Sequence, residues 1–82
     1  MELLEAKFIS CVTLLDVRLS EGEVTVLADC LNFMLKHCSD EQINQETECE
    51  SKEELSWYRN SLLELLKAIE NKEYLPERYK NL

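Results

Sequence analysis

The sequence predicts an all-α fold: a small antiparallel three-helix bundle with a short C-terminal helix. Three observations carry that expectation. The chain has one Gly and one Pro in 82 residues, whereas sandwiches and barrels need turn residues at frequent intervals. Apolar residues recur with a helical period over much of its length. Ser followed three positions later by Glu, the spacing of a capping box, marks the start of two such runs. A chain this short organises a single core, so residues 1–82 read as one domain. Its 45% apolar and 32% charged content is that of a folding chain rather than a disordered one.

The first helix is expected over about 2–19. At 100° per residue Leu4, Phe8, Cys11, Val12, Leu15 and Leu19 share an arc of about 100°, the width of a core-facing stripe. Ile9, Leu14 and Val17 fall outside it, and the run from Phe8 to Val17 is rich in β-branched residues, so a strand is the lesser alternative there. Ser20 and Glu23 then form a capping box, which starts a second helix over about 21–38. Val24, Leu27, Ala28, Leu31, Met34, Leu35 and Cys38 make its stripe. Val26, Cys30 and Phe33 make a second apolar strip nearly opposite, a candidate homodimer face.

Residues 39–51 read as an acidic linker, an extended loop or a loosely held helix, because Ile43 and Cys49 are its only apolar anchors. Ser39 and Gln42 have the spacing to cap a brief turn within it. Ser51 and Glu54 repeat the capping spacing and start a third helix over about 52–71, with Leu55, Tyr58, Leu62, Leu65, Leu66 and Ile69 on one side. Pro76 suits the first turn of a short helix over about 76–82.

Charge is the feature that bears most on function. Residues 39–54 hold Asp40, Glu41, Glu46, Glu48, Glu50, Glu53 and Glu54 against Lys52 alone, seven acids and one base, so most of the chain's net −8 sits in sixteen positions. Such a chain repels nucleic-acid phosphates and anionic lipid heads, which excludes direct nucleic-acid or membrane binding. Concentrated acids are instead what electrostatic steering toward a basic protein surface requires. Trp57, off the main stripe of its helix, is a candidate apolar anchor beside them. The plainer alternatives are that the acids only solvate the chain and that Trp57 closes the edge of the core.

The sequence offers no recognisable catalytic or metal chemistry. Read as a calcium loop from Asp40, the segment has Gln45 where the sixth-position Gly belongs and Ser51 in place of the bidentate Glu. The four cysteines, Cys11, Cys30, Cys38 and Cys49, form no CxxC or His/Cys cluster and read as buried reduced thiols. Adjacent His37 and Cys38 point about 100° apart on a helix, poor geometry for a nucleophile and its base.

The function expected is therefore that of a non-catalytic, cytoplasmic protein-binding inhibitor, without cofactor or metal. Its acidic face would occupy the groove of a basic partner, such as a nucleic-acid-binding enzyme, as phage-type anti-defence or anti-CRISPR-like mimics do; the analogy is one of charge and size. The alternative is a homodimeric adaptor or antitoxin-like regulator that binds through apolar helix faces.

Overall fold

A computed structural model describes all residues from Met1 to Leu82. The order of elements is β1 (Glu2–Ile9), β2 (Val12–Arg18), α1 (Glu21–His37), α2 (Asp40–Glu46), α3 (Lys52–Lys67) and α4 (Glu77–Lys80). The all-α expectation is therefore corrected to α+β: the segment read as a first helix over 2–19 is an antiparallel two-stranded hairpin, and the protein is not a three-helix bundle.

The register explains why a hairpin serves these residues better than a helix. Glu2↔Arg18, Glu5↔Asp16, Lys7↔Leu14 and Ile9↔Val12 are cross-strand partners, as are Leu3↔Val17, Ala6↔Leu15 and Phe8↔Thr13. Because side chains alternate between the faces of a strand, the first set shares one face and the second set the other. A bulge between Leu3 and Glu5 leaves Leu4 as the extra residue. All five charged side chains thus gather on one face, and the other is apolar apart from Thr13. Ile9, Val12 and Leu14 share the charged face, so the hairpin separates charge completely and apolar side chains only in part.

The turn is unusual in composition. Ser10 (φ 51°) and Cys11 (φ 66°) both adopt left-handed backbone, the pairing that matches the twist of a two-residue hairpin but is normally supplied by Asn and Gly.

The helices follow from their caps and anchors. Ser20 Oγ accepts from the Glu23 N–H at 3.1 Å while Glu23 accepts from the Ser20 N–H at 3.1 Å, closing the capping box of α1. For α2 Ser39 Oγ accepts from the Gln42 N–H at 3.2 Å and Gln42 Oε1 from the Ser39 N–H at 2.8 Å. The linker read over 39–51 thus contains a seven-residue helix, held by Ile43, which is fully buried. At the other end of α3 the Lys72 ammonium donates to the carbonyls of Lys67 and Ile69 at 3.0 and 2.9 Å, satisfying groups that the helix itself leaves free.

Two small cores join the helices. Val24, Ala28, Leu66, Leu75 and Tyr79 form one; Ile43, Cys49 and Leu55 form the other, with Leu31, Met34 and Leu35 packed against it. The first half of α1 thus meets the last half of α3 and the reverse, so the two helices run antiparallel. Neither core includes a residue before Leu19. Only 9 of 82 residues are buried, and the molecule is a slab of 37 × 35 × 16 Å. Its radius of gyration of 14.5 Å exceeds the roughly 12 Å of a compact chain this long. The projecting hairpin accounts for the difference in shape.

The turn supplies a test. Replacing Ser10 by Asn and Cys11 by Gly is expected to stabilise the hairpin by about 1 kcal/mol, since both residues enter left-handed backbone at little cost. NMR secondary chemical shifts of β1 and β2 would report it as a larger strand population; an unchanged or smaller one contradicts a strained turn.

Candidate protein-binding surface

Local sequence sets out the acidic residues along one end of the helical layer. Asp40 and Glu41 occupy the first turn of α2, Glu46 its last residue, Glu48 and Glu50 the connection, and Glu53 and Glu54 the first turn of α3. The acids at the two helix starts are favoured there by the helix dipoles, whereas Glu46 sits against one. Two are occupied structurally. Asp40 Oδ1 accepts from the Lys52 N–H at 2.8 Å, tying α2 to the start of α3, and Glu54 Oε2 accepts from the Glu50 N–H at 3.0 Å. Glu41 accepts only a long bond, 3.4 Å, from Gln45. Glu46, Glu48 and Glu53 accept no side-chain hydrogen bond, and none of the seven acids takes part in an ion pair. All but the half-buried Glu54 are exposed.

Trp57 lies four residues beyond Glu53 and so on the same side of α3. It is 60% exposed and does not close the core. Tyr58, expected on the inward stripe, is likewise exposed. The structure thus brings the acids and Trp57 together at the α2–α3 corner, with Tyr58 as an aromatic neighbour.

The second strip lies elsewhere. Val26, Cys30 and Phe33 are exposed on the outer side of α1, where the Phe33 ring meets the His37 ring at 4.5 Å between centroids. Of the cysteines expected to be buried, only Cys49 is; Cys38 is half-buried, and Cys11 and Cys30 are exposed. No helix is long and apolar enough to cross a membrane.

A polar network on α1 was not anticipated. Arg78 grips Asp29 with two hydrogen bonds of 3.1 and 2.5 Å, and Tyr79 Oη donates to the same carboxylate at 2.6 Å. Asn32 donates to Tyr79 Oη at 3.1 Å and accepts from Arg59 at 3.1 Å, so α1, α3 and α4 meet in one chain of bonds. The bonds from Arg78, then that from Tyr79, hold the Asp29 carboxyl below its ordinary value. Burial, then Asp29, pushes the Tyr79 hydroxyl up. The C-terminal tail is therefore fixed to the body. The sequence signal for it was faint: an Asp and an Asn three positions apart on a helix.

Acid should release that tail. A carboxyl with a depressed folded value contributes stability above its unfolded value, near 3.8, and loses it as pH falls through the lower folded value. Tyr79 resonances in wild type are expected to change below about pH 4, while Asp29→Asn shows the loosened tail already at neutral pH. A variant identical to wild type at pH 7 would remove Asp29 from this role.

No protein-family model matches this chain, and no curated protein or solved structure matches it either.

Proposed function

We propose that this protein is a non-catalytic inhibitor or regulator that occupies the basic, nucleic-acid-binding surface of a partner protein. One observation supports this most: the acids of residues 40–54 are gathered at one corner and carry no ion pair, so their charge is uncompensated within the chain. Structural acids are usually consumed by caps or bases. Here only Asp40 and Glu54 accept backbone N–H groups, and the rest are held outward on or between two capped helices. A partner groove lined with Lys and Arg would be attracted over several ångströms. Trp57 would then supply the apolar contact that slows dissociation. The reading sets this encounter in the cytoplasm, where free thiols stay reduced.

A second reading, a homodimeric adaptor or antitoxin-like regulator, is favoured by a separate observation: Val26 and Phe33 stay 60% and 65% exposed on α1.

The acidic reading predicts a salt-sensitive complex. Immobilised protein should capture a basic nucleic-acid-binding protein from a lysate of its own organism at low salt and release it as salt approaches about 0.5 M. The variant Glu41→Gln, Glu46→Gln, Glu48→Gln, Glu50→Gln spares both capping acids, and it should associate with that protein about tenfold more slowly with a flatter salt dependence. Equal rates for variant and wild type at low salt would defeat the proposal.

A further inference from the structure

We infer that the apolar face of the β1–β2 hairpin is the interface of a homodimer, covered by the same face of a second copy. Leu3, Ala6, Phe8, Thr13, Leu15 and Val17 share this face by register. Phe8 is 73% and Leu15 60% exposed, although hydrophobic side chains of this size on a sheet normally face a core. The opposite face already has what solvent requires: Lys7 lies 3.6 Å from Glu5 and 3.8 Å from Asp16, and Arg18 lies 3.9 Å from Glu2. Ile9, Val12 and Leu14 share that charged face at 53%, 54% and 48% exposure, so the hairpin is amphipathic in charge, and the uncharged face is the one left without polar partners. An isolated two-stranded hairpin is marginal in water, and the helical layer does not cover this one.

Area sets the scale of what is missing. The chain exposes 6316 Å², against about 5,100 Å² for a compact monomer of its mass. The excess of about 1,200 Å², spread over the whole flat molecule, leaves room for the roughly 800 Å² that each partner contributes to a standard stable interface. Next to Val17 the face runs into a cleft of about 540 Å³ lined also by Leu4, Leu65 and Ile69, with Arg18 and Glu21 among its walls, which carries apolar surface onto α3.

Charge favours a second copy as the occupant. With Glu2, Glu5 and Asp16 against Lys7 and Arg18, the hairpin is nearly neutral and its apolar face bears no charge. The acids cluster at the start of α3, whereas the cleft lies near its end, about 18 Å away along the helix and beyond the screening length of about 8 Å. Two molecules with net −8 can thus meet at the hairpins without opposing their acidic ends. Two-fold stacking is isologous, and each of the pairs Phe8↔Thr13 and Ala6↔Leu15 sets a large side chain beside a small one, the relief that lets two sheets interdigitate. This assembly does not depend on the acidic reading, and it uses a different surface from the α1 strip.

Sedimentation of the full chain over micromolar to submillimolar concentrations tests it. Wild type is expected at twice the 9.6 kDa chain mass. Phe8→Lys and, separately, Leu15→Lys should sediment at the single-chain mass with helical circular dichroism retained, because neither side chain belongs to a helical core. Leu14→Lys on the charged face and Phe33→Asp on α1 should remain dimeric. A wild type that stays at the single-chain mass overturns the inference, and so does a dimer that survives both hairpin substitutions or is lost only with Phe33→Asp.

Discussion

The antiparallel contact of α1 with α3 is the constraint on which the remaining architecture depends. It is small, with Val24, Ala28 and Leu66 at one end and Leu31, Met34 and Leu55 at the other, and each end needs a further element to close it. At one end Leu75 and Tyr79 from the tail complete the core, fixed by the grip of Arg78 and Tyr79 on Asp29. At the other, Ile43 and Cys49 serve the same purpose, and the capped helix α2 delivers Ile43. Two helices are thus stabilised mainly by what is plugged in at either end. Nothing remains in that layer to cover the hairpin.

This division of labour separates two kinds of surface. Delivering Ile43 and Cys49 to the second core requires the chain to run through residues 39–51, and the side chains alternating with those anchors are acids directed outward. The acidic corner is therefore built by the same packing that stabilises the helices, so its carboxylates are presented by ordered backbone rather than by a free tail. The hairpin, at the opposite end, carries nearly balanced charge and an uncovered apolar face. Steering by charge at one end and burial at the other would give a protein two independent contacts, each with its own salt dependence.

The helix starts were legible because capping is local chemistry: Ser20 with Glu23 and Ser51 with Glu54 state where α1 and α3 begin, within three residues of sequence. The acids could be placed together from their density alone. The hairpin was not legible for two reasons. Its apolar residues satisfy a helical stripe about as well as a strand alternation, since the bulge at Leu4 breaks the period of two. Its turn uses Ser10 and Cys11 in left-handed backbone, so the Asn-Gly or Asp-Gly signal that marks a tight hairpin is missing. The β-branched run from Phe8 to Val17 was the remaining cue. The Asp29 network depended on pairings across 27 to 50 residues, which no local pattern contains.

The central claim is that the hairpin packs into neither helical core and that its uncharged face is completed from outside the chain. Amide hydrogen exchange of the wild-type protein, followed residue by residue as concentration rises, tests this most directly. The account predicts that α1 and α3 amides are protected to the same degree throughout, while β1 and β2 amides exchange rapidly in dilute solution and become protected as the protein is concentrated. Hairpin amides as slow as those of α1 at the lowest concentration would show that the single chain completes its own sheet, and would contradict it.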